Sequence, residues 1–527
     1  MILVRTNKFR AGGGSADYNA SSKTLTLTNA EITQQDGTYS RGISIPDSIT
    51  SEFKIVLVGK NRIKSDPSDD LIDGIVAAHD LSISGSGTLD VEVQTNDVTG
   101  QKRGAIISRS GIVTVKDATL NLKEASGTDW DTVPSNKLQN LHSVGIGSSN
   151  DNLSNPRKAR FDHANITIEG FSSGLDASTI TGSNYCGMEI VNGSDMIIKD
   201  VYKGIMTNHN YVTSADAKVS EIVIANSSLN LTAAANGIYG RNITMENAKA
   251  TVKNKKDWDA ICAYDEGCVT IVNSAVTAES PESTAIFSDK TLKITGKSDI
   301  VTKAKYCGLM SNEAIAITGS KINADSAEDS AVYSAGKLDI SGKSELTTKG
   351  FYCGLQSNGD MTITGGSAEA ISSDDFGIFT TGSLYIDDCL THAKGGSNLA
   401  GIGVRTAKTV ESAPAAKISI ENVYEKNEGK IAVSDWYTTD GTTRWWTSFI
   451  DKKDDTLDLN NSRMANPLNE VWLIPLRAPE FTVHPKSQTV VDVYKRQAYA
   501  TIEGLKNLMT VEKVSRLRGK SKEEIIG

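Results

Sequence analysis

Six isoleucines, Ile271, Ile294, Ile317, Ile340, Ile363 and Ile386, recur at a constant interval of 23 residues, and nothing else restricts the fold as much. Each ends a short apolar-x-Ile strand: Val269-Thr-Ile, Leu292-Lys-Ile, Ile315-Ala-Ile, Leu338-Asp-Ile, Met361-Thr-Ile, Leu384-Tyr-Ile. Eight residues before the last five lies a second apolar landmark (Ile286, Leu309, Val332, Leu355, Ile378), separated by turns such as Ser334-Ala-Gly-Lys337. After each isoleucine, Gly, Ser or Asp leads into a weaker third strand, as in Ser344-Glu-Leu-Thr-Thr. A unit of 23 residues cannot bury its own apolar face, whereas coils stacked in register would line a tube with continuous ladders. The expectation is an all-β chain folded as a parallel β-helix, right-handed by the usual chirality of such crossovers. It should occupy residues 1–425, most regularly 260–390. Looser copies run upstream from Leu25-Thr-Leu to Ile243-Thr-Met and downstream to Ile418-Ser-Ile. About fourteen coils at ~4.8 Å each would give a rod of about 65 Å, with its largest insertion around residues 124–156. A β-sandwich array would instead show antiparallel hairpin signals and larger cores.

A closer likeness appears at 46 residues, every second coil. Tyr306-Cys-Gly-Leu matches Tyr352-Cys-Gly-Leu, with an earlier copy at Tyr185-Cys-Gly-Met, and Ala285-Ile-Phe-Ser matches Ala331-Val-Tyr-Ser. Cys307 and Cys353 would thus lie two coils apart, ~9.6 Å, too far for a disulfide, and read as packing residues. Glu282, Lys305, Glu328 and Asp374 share a column at multiples of 23, with Phe351 at the remaining step. Alternating charge relieves a ladder that would otherwise repel itself.

Composition narrows the partners. The chain has 527 residues, 38% hydrophobic and 6% aromatic, with formal charge −9. Without a basic face it has no footing for nucleic acid. No apolar run approaches the roughly 20 residues of a membrane span. The first residues, Met1-Ile-Leu-Val-Arg-Thr-Asn-Lys, lack a secretory signal, so the expectation is a fragment whose true start lies upstream. The six cysteines form no CxxC pair, and the six histidines have no metal-ligand spacing.

The rung [Gly/Ala]-[Ile/Leu/Val]-x-Ser, a turn, then [Leu/Met]-x-Ile-[Thr/Ser]-Gly resembles the β-helical carbohydrate-binding domains of clostridial cell-surface proteins over roughly residues 18–425. Tyr18-Asn-Ala-Ser-Ser-Lys-Thr-Leu-Thr-Leu-Thr-Asn is similar to that family's first rung. Ser372-Ser-Asp-Asp-Phe-Gly-Ile resembles its Asp-Asp-Gly-Ile turn, where paired carboxylates hold calcium, although Phe376 interrupts the motif here. The resemblance implies a secreted or surface-displayed polysaccharide-binding module, expected as a monomer, with calcium as candidate cofactor. Residues 426–477 would form a β-rich cap, and residues 478–491 resemble the first strand of a bacterial immunoglobulin-like domain. Asp492-Val-Tyr-Lys-Arg-Gln497 resembles a translated sequencing-library adapter. Residues 498–527 resemble the C-terminal end of the fifth bacterial small-subunit ribosomal protein, expected to be a short helical tail foreign to the rest.

Candidate ligand residues are few. Tyr239, Phe287, Tyr333 and Phe379 fall one position after the inner landmark and should face outward as a stripe. Trp436, Trp445 and Trp446 cluster just after the last clear rung, suited either to stacking on sugar rings or to covering the open end of the solenoid. Glu328, Asp329, Asp374 and Asp375 are the candidate metal ligands, although such a column reads first as solvated surface charge. An enzyme reading, a calcium-dependent polysaccharide lyase, would enlist Asp374, Asp375, Asp387 and Asp388 with Lys349 as base. A structural spacer is the third reading.

Overall fold

The computed structural model describes residues 14–34, 41–65, 73–95, 103–133, 143–148, 158–177, 187–207, 221–396, 399–404, 418–425, 431–439, 442–450 and 469–476. The expected immunoglobulin-like strand, adapter-like junction and helical tail lie outside them.

The described residues contain no helix and form three sheets of sixteen strands. The chain visits them in rotation. In one coil Leu338–Ser341 lies in sheet 1, Glu345–Gly350 in sheet 2 and Leu355–Ser357 in sheet 3, before Met361–Thr364 returns to sheet 1. Fourteen complete coils repeat this path, making a parallel β-helix. The isoleucine ladder is the centre of sheet 1: Ile271 pairs with Ile294, then Ile317, Ile340, Ile363 and Ile386 in unbroken register, all fully buried. The second landmark forms the matching ladder of sheet 3, Ile286 to Leu309, Val332, Leu355 and Ile378. Alternation places these side chains inside and leaves their neighbours out.

The corner between sheets 1 and 2 is the most uniform of the three. Each coil turns there on a left-handed residue: Asn226, Asn247 and Asn273, then Gly296, Gly319, Gly342 and Gly365, then Asp388. Asparagine and aspartate tolerate this conformation best after glycine, which is why these types fill the column apart from His163. Buried serines behind it, Ser274, Ser298, Ser320 and Ser344, donate to corner carbonyls, and Ser274, Ser298 and Ser344 also accept an amide hydrogen from the neighbouring coil. The polar backbone of a corner that faces the core is thereby satisfied. Large differences in chain length are absorbed at the other two corners, so along the sheet 1 ladder Val115 pairs with Phe161, forty-six residues on, while the steps from Ile271 to Ile386 are 23.

Antiparallel pairing closes both ends. Ser15–Asn19 folds back on Thr24–Thr28. At the far end Glu470–Pro475 runs antiparallel to Leu390–Lys394, and the hairpin of Ile431–Thr439 and Thr442–Ile450 continues sheet 3 through Gly403 and Ser434. Trp472 stacks on His392 at 3.7 Å, and the hydrogen bond from His392 holds the Glu470 carboxyl below its ordinary range.

Candidate functional site

The corner between sheets 2 and 3 carries the exposed rings. Three positions before each inner residue of sheet 3, the coils read Tyr202, Ala235, Trp258, Ser283, Tyr306, Asp329, Tyr352 and Asp375. Every second coil therefore presents an aromatic ring. Trp258, Tyr306 and Tyr352 are 59%, 43% and 46% exposed, large values for such side chains. Phe351 lies edge-on to Tyr352 at 5.2 Å and is also exposed. One position earlier run Asp257, Glu282, Lys305, Glu328, Phe351 and Asp374, so carboxylates fall mainly on the coils between rings.

Backbone bonds hold successive corners in register: Glu328 N donates to Lys305 O at 2.7 Å and Asp374 N to Phe351 O at 2.9 Å. A buried serine in each intervening coil pins the ring-bearing backbone below it. Ser280 Oγ donates to Trp258 O at 3.0 Å, Ser326 Oγ to Tyr306 O, and Ser372 Oγ to Phe351 O at 3.0 Å and to Tyr352 O. On the ring-bearing coils the same strand-end position holds Asn254, Ala304 or Gly350. This alternation is the physical origin of the 46-residue likeness. In Tyr352-Cys-Gly-Leu, Tyr352 points to solvent, Cys353 and Leu355 are buried, and a Cβ on Gly354 would meet the Ala370–Ile371 backbone at under 3 Å. In the earlier copy, Tyr185-Cys-Gly-Met, Gly187 and Met188 belong to the sheet 1 strand Gly187–Val191, while Tyr185 and Cys186 lie outside the described residues.

Trp258 also has a left-handed backbone, φ 77°, which for a bulky aromatic costs on the order of 1–3 kcal/mol. Its carbonyl is caught by Asn254 Nδ2 as well as Ser280.

Tyr202, the first ring in the column, is covered. Residues 125–133 cross the corner as a strap, and Trp130 packs on Tyr202 (6.4 Å between ring centres), Ala234 and Ala235 while donating Nε1 to Gly170 O at 2.9 Å. Lys255 Nζ meets Asp131 at 2.7 Å, and Lys256 Nζ meets Trp130 O at 3.0 Å. Beneath the strap is a cavity of about 340 Å³ bordered by Asp129, Asp131, Glu169 and Asp200.

The residues singled out from sequence lie elsewhere or only partly here. Tyr239, Phe287, Tyr333 and Phe379 do share one outer column of sheet 3, alternating with Cys262, Met310 and Gln356. It is sunken rather than bare. Tyr239 stacks on Tyr264 at 4.0 Å, Tyr333 OH accepts from Asn358 at 2.8 Å, and Phe379 is only 8% exposed against Phe376. Burial raises the Tyr333 hydroxyl above its ordinary value. Trp436 and Trp445 are register partners in the terminal hairpin, with Trp446 opposite Asp435; their side chains lie outside the described residues.

Glu328 and Asp329 sit two coils from Asp374 and Asp375, ~9.6 Å by strand spacing, too far for one ion. Among the described residues no group of three or more His, Cys, Asp or Glu is arranged to hold a metal. Asp387 and Asp388 belong to the corner between sheets 1 and 2, separated from Asp374 and Asp375 by a strand's length, roughly 16 Å, so the proposed lyase carboxylates are not gathered into one site. Cys262, Cys307 and Cys353 are free and buried; desolvation first, then Asp259, Asp329 and Asp375 respectively, raises their thiols, so they stay protonated and inert.

Comparison with protein-family models, with curated proteins and with solved structures returned no match. No helix among the described residues is long and apolar enough to cross a membrane.

Proposed function

We propose that this β-helix is a non-catalytic polysaccharide-binding module of a secreted or surface-displayed bacterial protein, and that it holds an extended sugar chain along the corner between sheets 2 and 3. The observation that carries this reading is the recurrence of exposed rings on alternate coils, Trp258, Tyr306 and Tyr352. Planar rings stack on the C–H faces of pyranoses, and rings fixed at ~9.6 Å intervals on a rigid ladder meet a repeating polymer at repeating places. Individually weak contacts then add along the axis, because each later contact forms at high effective concentration. Affinity should rise with oligosaccharide length until the chain spans the four coil steps from Trp258 to Tyr352, about 19 Å.

The test is retention of the full chain on a panel of insoluble neutral, acidic and amino polysaccharides. Trp258→Ala, Tyr306→Ala and Tyr352→Ala together should abolish retention, whereas Tyr239→Ala with Tyr333→Ala should leave most of it. No retention on any polymer would overturn the reading. Release of unsaturated, ultraviolet-absorbing products would replace it with a lyase.

A further inference from the structure

Resting on that reading, we infer that the corner track is built for a cationic glycan, a β-1,4-linked amino-sugar polymer, rather than for a neutral or acidic one. The charges follow the rings in a fixed order. On the coils between rings stand Glu282, then Glu328 with Asp329, then Asp374 with Asp375. Among the described residues Lys305 is the one cation between the sheet 2 strand ends and the sheet 3 strands from Glu282 onward, and it is already paired with Glu282 at 3.1 Å, while Lys303 and Lys349 stand exposed at the adjoining ends of sheet 2. Glu328 and Asp374 are exposed and form no salt bridge among the described residues. The acid character continues past Trp258 into the cavity under the strap, where Asp129 and Asp200 join carboxylates already paired with lysines.

The track is therefore ring, carboxylate, ring, carboxylate, in steps of ~4.8 Å. In an extended β-1,4-linked chain alternate sugars are turned over, so the same face and the same 2-position substituent return on every second residue. An amine at that position lies between successive stacked faces, where the corner places its carboxylates. A polyuronate would set like charge against like along the whole track. A neutral glycan would use the rings and leave Glu328 and Asp374 without partners.

The experiment is calorimetric titration of the full chain with hexamers of glucosamine, N-acetylglucosamine, glucose (β-1,4-linked) and galacturonic acid. Salt is set at about 0.1 M and about 1 M, where the Debye length falls from ~10 Å to ~3 Å. The glucosamine hexamer should bind tightest at low salt and the galacturonate hexamer weakest. The preference for the amine should shrink at high salt. It should also fall about fivefold in the Glu328→Gln, Asp374→Asn double variant, whose exposed positions leave the melting temperature unchanged. Equal binding of glucosamine and neutral hexamers at low salt, or a preference that survives the double variant, overturns the inference while the polysaccharide reading stands. Binding of none of the four overturns both.

Discussion

The same corner serves two purposes in two parts of the molecule. Around Tyr202 it is crossed by the strap of residues 125–133, and Trp130 supplies the aromatic neighbour that the ring would otherwise lack. From Trp258 to Tyr352 it is stripped to a few residues per coil, and equivalent rings stand in solvent. The rings also differ in their support, since Ala233 stands where Ser280, Ser326 and Ser372 pin the exposed ones. Under the proposed function, an exposed apolar surface that recurs, where an equivalent position elsewhere is covered, is the surface offered to the sugar chain.

The largest expected effect tests whether the two parts share one scaffold. Ile340→Asp places an unpaired charge inside the ladder and should cost about 4 kcal/mol or more. Because stacked coils are stabilised by nearest neighbours, hydrogen exchange should show the downstream coils opening while the strap region stays protected. Uniform loss of protection along the chain would mean that the parts are not separable. An intermediate effect is expected for Trp130→Ala, which removes a buried indole and should cost roughly 3 kcal/mol. Exchange should quicken in the strap and leave Leu338–Ser341 unchanged. Uncovering Tyr202 lengthens the track by two coils, so long oligosaccharides should bind at least as tightly; weaker binding would show that the strap itself belongs to the site. The smallest effect concerns Trp258. Trp258→Gly relieves the left-handed backbone and should raise stability by about 1 kcal/mol, seen as a small rise in melting temperature, while glycan retention falls. Lower stability with unchanged retention would assign Trp258 to packing instead.

Much of the scaffold was legible because interior ladders impose their period on the sequence: Ile271 to Ile386 could be read as one column without any structure. The 46-residue likeness was equally visible, but its cause was not. The buried hydroxyls of Ser280, Ser326 and Ser372 look like ordinary strand residues until their partners across the corner are known. The ring column escaped because Trp258 sits 48 residues before Tyr306, the coil between having gained residues at its turn, so a strict count of 23 misses it. Counting three back from the sheet 3 landmark would have found Tyr202, Trp258, Tyr306 and Tyr352 together. The sunken state of Tyr239 and Phe379 depends on Tyr264 and Phe376, which arrive from neighbouring turns. Trp130 was hidden for another reason: the length of its insertion is plain, but where an insertion folds back is a tertiary matter.

The uniform corner between sheets 1 and 2 bears on how such a chain can change in length. Since nearly every coil turns there on Asn, Asp or Gly, His163 being the exception, a gene can gain or lose coils by unequal recombination with little mismatch at this joint. The opposite corner is stricter, because its serines and rings alternate. Loss of a single 23-residue coil would set ring beside ring and strand a pinning serine, whereas loss of 46 residues restores the phase. Viable length variants of this protein should therefore differ by even numbers of coils, and the reach of its surface should be inherited in paired steps.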